Sequence, residues 1–255
     1  MGIRDEGVTS PSIRPAAGRA PSSPAGHSGP VGSIDGADRR RLYRTAGFGG
    51  LGAALAWGAQ PILVAIVSGD AGEHADFAYI ASHPFNGVIE ATVFAAIGVG
   101  LLYLVTAVGR LGAASGVPTS TSALVGHTLG VAASLAWFGV AGVFLAQYTS
   151  VGFGLGDAAP DRALQVGLYQ LLGVIVTGLL VVFGVGFAGW LIMLAVAGRR
   201  RGVVGWPLSI LALLAAAASI GQFLVPFAPP WGLVAGIAFA FVAGVAFLVA
   251  ARRPA

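Results

Sequence analysis

Six long runs of apolar residues, separated by short polar or charged segments, dominate the pattern of the chain. Each run is long enough for the ~20 helical residues that cross a hydrocarbon layer of about 30 Å. The pattern therefore predicts an all-α fold, a polytopic membrane bundle of six transmembrane helices. The predicted spans cover residues 46–68, 85–109, 122–147, 166–198, 203–225 and 231–251.

The composition supports the same class of protein. Of the 255 residues, 56% are hydrophobic and 9% are charged, and the mean hydropathy is +0.84. A soluble domain carries about 25% charged residues, so this chain has too little charge to cover a surface that faces water. The expected partner of its outer surface is the lipid bilayer.

Three segments of unequal length divide the chain. Residues 1–44 are rich in Pro, Gly and Ser and end in a basic run, which predicts a disordered cytoplasmic tail, because such a segment buries too little apolar surface to become ordered. Residues 45–251 form the predicted transmembrane domain of six helices. Residues 252–255 form a short basic cytoplasmic end.

The arginines predict the orientation of the chain in the membrane, because cytoplasmic loops carry an excess of basic residues. One side holds Arg39, Arg40, Arg41, Arg44, Arg110, Arg199, Arg200, Arg201, Arg252 and Arg253. The opposite side holds Arg162 together with Asp70, Glu73, Asp76, Asp157 and Asp161. An even number of spans then places both termini in the cytoplasm, and a bacterial plasma membrane is the expected location.

The same placement argues against nucleic acid as a partner, although the net charge is +4. The arginines stand at the ends of apolar spans, where orientation signals occur, rather than along one basic face. Protein partners cannot be inferred from this pattern and are left open.

Most catalytic signatures are missing. The chain has no cysteine, which excludes disulfides, thiolate metal ligands and cysteine nucleophiles. It also lacks H-E-x-x-H, G-x-S-x-G and P-loop motifs. "GVGFAG" at 184–189 matches a dinucleotide pattern but lies inside a span, where close helix packing explains it better. We therefore predict no enzyme activity, no metal and no cofactor.

His127 lies between Gly126 and Gly130 near the start of the third span. A membrane histidine can bind haem or relay protons, but a bundle haem usually needs a second histidine at the same depth. The sequence offers none there, so the expected state of His127 is a hydrogen bond at the membrane interface, with Ser122 or Thr106 as partner.

Glu90 is an acid inside the second span. Counting about 1.5 Å per residue from Arg110 places it about 30 Å away, near the outer boundary, with Asn86 one turn earlier and Pro84 in the first helical turn. One interpretation is an interfacial acid stabilised by its position. The other is an outward-facing polar pocket for a ligand, lined by Gln60, Glu90, Gln147 and Gln170.

Three classes of function follow from these alternatives. The first is small-molecule sensing or passage through the outward-facing pocket. The second is a structural or interaction protein whose polar groups only connect helices. The third, an intramembrane enzyme, has the least support from the sequence.

Two stretches carry a resemblance to a known group of proteins. They are "VSGDAGEHADFAYIASHPFNGVIEATVFAAIGVGLLYLVTAVGR" and "GRRRGVVGWPLSILALLAAAAS". Over about residues 45–250 the chain resembles an uncharacterised bacterial family of six-span membrane proteins, a domain-of-unknown-function group. The resemblance implies the six-span topology and transfers no activity and no site residue.

Overall fold

The computed structural model describes residues 35–68, 84–153, 162–224 and 231–253, and within these ranges the chain is helical, without strands. The last helix begins and ends at the predicted residues, and a π-helical segment, Leu194–Gly198, continues the fourth helix. The helices of the described residues are α1 (Gly36–Ser68), α2 (Pro84–Ala113), α3 (Thr121–Phe153), α4 (Arg162–Met193), α5 (Trp206–Leu224) and α6 (Trp231–Ala251).

Five of the helices are long and apolar enough to cross a membrane, and they indicate a multi-pass membrane protein by length and composition. They are Phe85–Ala113, Thr121–Ala146, Gln170–Gly198, Trp206–Leu224 and Trp231–Ala251. Helix α1 is not in this group over its described residues.

The outside of the bundle is apolar, as expected of a surface that meets lipid. Leu55, Val174 and Leu214 are 67%, 68% and 62% exposed, respectively. Large aliphatic side chains at such exposure would be costly in water, because each exposes apolar surface that the solvent disfavours. Lipid chains remove that cost.

Chain order is also the order of the helices in space. Each helix packs against the one before and the one after it, and α6 packs back against α1, so the described helices form a closed ring. Aromatic side chains fill its middle. Trp57 of α1 is fully buried and lies 5.5 Å from the ring of Trp137 on α3 and 5.2 Å from that of Phe183 on α4.

Glycines let helices α1 and α2 approach at backbone distance. A Cβ added at Gly100 would lie 2.5 Å from the backbone nitrogen of Ala53 and 2.8 Å from the carbonyl oxygen of Gly49. A backbone cannot move aside as a side chain can, so this contact requires glycine. The dinucleotide-like "GVGFAG" also serves packing, since a Cβ at Gly186 would lie 2.9 Å from the carbonyl oxygen of Leu129.

Helix α1 begins earlier than the sequence pattern predicts. The side chain of Asp35 accepts a hydrogen bond of 2.7 Å from the backbone N–H of Asp38, which is the bond that an N-cap residue makes. Residues 36–44, assigned to the disordered tail, are therefore helical, and that part of the prediction is wrong. The predicted tail up to residue 34 lies outside the described residues.

Candidate functional site

A cavity of about 420 Å³ lies where the end of α2, the start of α3 and the π-helical end of α4 come together. We call it the arginine cavity, because Arg110 and Arg201 are both among its lining residues. Thr106, Thr119 and His127 add further polar atoms, while Trp190, Met193 and Leu194 supply an apolar wall. A largely apolar hollow of a few hundred Å³ with a few polar groups is typical of small-molecule sites.

Arg201 forms a hydrogen bond to the backbone of another segment. Its Nη2 donates a hydrogen bond of 2.9 Å to the carbonyl oxygen of Pro118, and its Nη1 lies 3.4 Å from the position of a Cβ at Gly112. A guanidinium has five N–H donors in a planar fork, so one bond to Pro118 leaves others available. Arg201 thus connects α4 to the α2–α3 connection and still presents donors to the cavity.

The turn after Arg201 fixes the position of this residue. The N–H of Val203 donates to the carbonyl of Gly198 at 2.9 Å, and the N–H of Gly202 donates to the carbonyl of Arg199 at 3.0 Å. This pair of bonds is the Schellman motif that ends a helix, and it needs a left-handed residue. Gly202 supplies it with φ of 67°.

The cavity wall includes an irregular piece of helix. Leu194, Ala197 and Gly198, all within the π-helical segment, line the cavity. A π turn is wider than an α turn, and such turns occur frequently at functional sites. Here the wide turn lies between Trp190 and Arg201, so it sets the spacing between the apolar wall and the charge.

The ring of His127 packs against α2 at Gly109. A Cβ at Gly109 would lie 2.7 Å from its Nδ1, and this atom is buried with no hydrogen-bond partner in the described part of the chain. The hydroxyl of Thr106 instead donates to the carbonyl of Leu102, and that of Ser122 pairs with Ser120. The expected hydrogen bond between His127 and Ser122 or Thr106 is therefore wrong, because both hydroxyls find local partners first.

Among the described residues, the charged side chains that line the arginine cavity are all basic. No carboxylate is among the residues that line it, and neither Arg110 nor Arg201 forms an ion pair with any described residue. The three consecutive arginines after α4 also differ in their contacts: the guanidinium carbon of Arg199 lies 3.7 Å from the ring centroid of Trp206, a cation–π contact, whereas Arg201 lines the cavity. The cavity therefore suits an anion.

The residues of the predicted outward-facing pocket lie elsewhere. Glu90 is buried on α2, with 6% of its surface exposed, Gln60 is half-buried on α1, and Gln170 is exposed on α4. The side chain of Gln147 lies outside the described residues. None of these residues lines the arginine cavity. A pocket formed by them stays a prediction.

Groups of three or more histidine, cysteine, aspartate or glutamate side chains that could hold a metal ion do not occur among the described residues. Two other polar atoms are buried without a partner within those residues, the indole Nε1 of Trp57 and that of Trp137. Both rings belong to the aromatic middle of the bundle, where surrounding side chains are apolar. Their burial is a cost of aromatic packing.

Comparisons with protein-family models, with curated proteins and with solved structures find no match to the chain. The resemblance to a six-span family thus stays a prediction.

The sequence predicts Arg110 and Arg201 as orientation signals and His127 as an interfacial histidine. It does not predict that they form one site. A signal was present, since all three lie at or near the ends of their predicted spans. Trp190 and Met193 gave no such signal, since an aromatic or methionine within a span is usually a packing residue.

Proposed function

We propose that the protein is a six-span protein of a bacterial plasma membrane, with both termini in the cytoplasm, that binds a small anionic molecule in the arginine cavity. We further propose a role in the sensing or passage of that molecule. The observation that carries the proposal is the pair of arginines in one cavity of about 420 Å³ without a carboxylate among its lining residues. The arginine-rich end is the cytoplasmic end by the positive-inside rule.

Binding is tested with the full chain in nanodiscs of zwitterionic lipid. Octanoate, octyl phosphate and octylammonium are titrated and measured by calorimetry. We expect at least one anion to saturate at one molecule per chain and the cation of the same chain length not to bind. The Arg201→Gln variant should bind at least tenfold more weakly, and Arg252→Gln, which removes an exposed arginine outside the cavity, should bind as the parent does. Equal binding of the cation would contradict the proposal.

The topology is tested separately by cysteine labelling. The chain has no cysteine of its own, so the maleimide reacts only at the introduced residue. Val117→Cys lies in the connection after α2, and Ala158→Cys lies in the connection before α4. In intact cells a membrane-impermeant maleimide should label the cysteine at 158 and label that at 117 only after the cells are opened. The reverse pattern would overturn the proposed orientation.

A second candidate keeps the outward-facing pocket of Gln60, Glu90, Gln147 and Gln170. The burial of Glu90, at 6% exposed, favours it, because an ionisable side chain inside a membrane bundle often belongs to a functional site. Binding of a ligand in the outward-facing pocket would be lost in Glu90→Gln and unchanged in Arg201→Gln. This difference separates the two candidates.

A further inference from the structure

The lining of the arginine cavity combines two kinds of chemistry. Arg110 and Arg201 are its cations, and Trp190, Met193 and Leu194 form an apolar wall. Trp190 is 3% exposed and its ring lies 5.9 Å from that of Phe239, so this wall continues into the aromatic middle of the bundle. A ligand that uses the whole cavity needs a charged head and an apolar body.

The size of the cavity points the same way. A water molecule occupies about 30 Å³ of liquid volume, so a cavity of about 420 Å³ holds far more than an inorganic ion. The volume falls in the range of sites that take small organic molecules. An inorganic anion alone would leave the apolar wall without a partner.

The number of cations indicates which head group fits best. A carboxylate carries one charge and pairs with the fork of one guanidinium, whereas a phosphate monoester carries up to two charges and three acceptor oxygens. Arg201 keeps free donors beyond its bond to Pro118, and Arg110 has no ion pair among the described residues. Two arginines without a facing acid match a dianion better than a monoanion.

We infer that the arginine cavity takes a phosphate ester with an apolar chain, with its phosphate held by Arg110 and Arg201 and its chain against Trp190, Met193 and Leu194. This inference rests on the proposed function, since it names the anion that the cavity binds. The phosphate ester can come from the cytoplasm as a soluble molecule or from the inner leaflet as a lipid, and both sources share this chemistry.

The test compares head groups at constant chain length. Octyl phosphate, octanoate and inorganic phosphate are titrated by calorimetry into the full chain in nanodiscs of phosphatidylcholine. We expect octyl phosphate to bind at least tenfold more tightly than octanoate and than inorganic phosphate. If octanoate binds equally well, the inference that the ligand is a phosphate ester is overturned, while the proposed function of binding an anion is retained. If inorganic phosphate binds equally well, the apolar wall has no role and the inference also fails. If no anion binds, the proposed function fails with it.

Variants tie the binding to the cavity. Arg110→Gln and Arg201→Gln should each weaken the binding of octyl phosphate at least tenfold. Arg201→Lys should weaken this binding too, because an ammonium keeps the charge but lacks the planar fork. Arg252→Gln should leave the affinity unchanged. Thermal unfolding of each variant without ligand checks that the fold is retained. Unchanged affinity in the folded cavity variants would overturn the inference.

The source of the ligand is read from a second set of nanodiscs that contain phosphatidic acid. A tenfold loss in the apparent affinity for octyl phosphate would mean that a bilayer lipid competes for the cavity. An unchanged affinity would mean that the cavity is filled from water. Either outcome is consistent with a phosphate ester as the ligand. The two outcomes distinguish a bilayer lipid from a soluble molecule as its source.

Discussion

The imidazole of His127 on α3 occupies the space that a side chain at Gly109 on α2 would need. A Cβ built on Gly109 would lie 2.7 Å from Nδ1 and 3.0 Å from Cε1 of that ring. Both residues line the arginine cavity. The absence of a side chain at Gly109 therefore sets the position of His127 and, with it, one wall of the cavity.

Gly109→Ala should displace this ring. Overpacking of this kind costs about 1–3 kcal/mol of stability, and the moved imidazole enters the cavity. We expect a lower midpoint of thermal unfolding and at least tenfold weaker anion binding, measured in nanodiscs. Gly142→Ala on α3 is the control, because a Cβ there meets nothing within 4 Å. Unchanged binding by Gly109→Ala would show that the ring does not shape the site.

Gly100→Ala should separate α1 from α2. The added methyl would meet the backbone of Ala53 at 2.5 Å, and neither backbone can yield locally. We expect a loss of stability of about 2–3 kcal/mol, seen as a lower unfolding midpoint and a lower folded yield in detergent. Gly52→Ala, on the adjacent helix with open space around its Cβ, should instead gain up to about 1 kcal/mol from helix propensity. Equal stability of the two variants would contradict the close approach.

Trp57→Ala should remove the centre of the aromatic cluster. Trp57 is fully buried and contacts rings on α3 and α4, so truncation should cost about 3–5 kcal/mol. Trp57→Phe should cost much less, since it also removes an indole N–H that has no partner among the described residues. Thermal unfolding measures both, with Trp231→Ala as an exposed control. A Phe variant as unstable as the Ala variant would show that the N–H has a stabilising partner.

Glu90→Gln keeps the size of the side chain and removes its charge. Because Glu90 does not line the arginine cavity, we expect anion binding there to be unchanged, within twofold, and the protein to fold. Glu90→Lys should lose folded protein, since the longer side chain puts a positive charge at a position that is 6% exposed. Calorimetry and size-exclusion chromatography in detergent measure these two effects. Weaker anion binding by Glu90→Gln would mean that the two ends of the bundle are coupled.

The helices were predictable from the sequence, because five of the six described helices contain a long apolar run and α1 contains a shorter one. The start of α1 was not, since the helix begins in a charged segment without an apolar signal, where the backbone N–H of Asp38 donates to the side chain of Asp35. The helix bounds depend on local chemistry, and the pattern of residues carries that chemistry only where polarity changes sharply, as it does at Trp231 and Ala251.

The cavity was not predictable. Its decisive contact joins Arg201 to Pro118, which are 83 residues apart, and periodicity says nothing about pairs so distant in the chain. The π-helical segment was equally hidden, because "LAVAG" has an ordinary apolar composition. The sequence places the arginines and His127 at or near the ends of their predicted spans, but which helices are neighbours in the ring is a property of packing.

The π-helical segment Leu194–Gly198 has a consequence for how the chain tolerates changes in length. A π turn contains one residue more than an α turn, and the helical segments on either side keep their orientation. A chain shorter by one residue at this point would therefore keep Trp190 against α3 and Arg201 near Pro118, joined by a regular helix. It would lose the wide turn that lines the cavity between Trp190 and Arg201. The extra residue is thus an insertion that can be deleted, and we expect its loss to leave the bundle intact and to narrow the cavity.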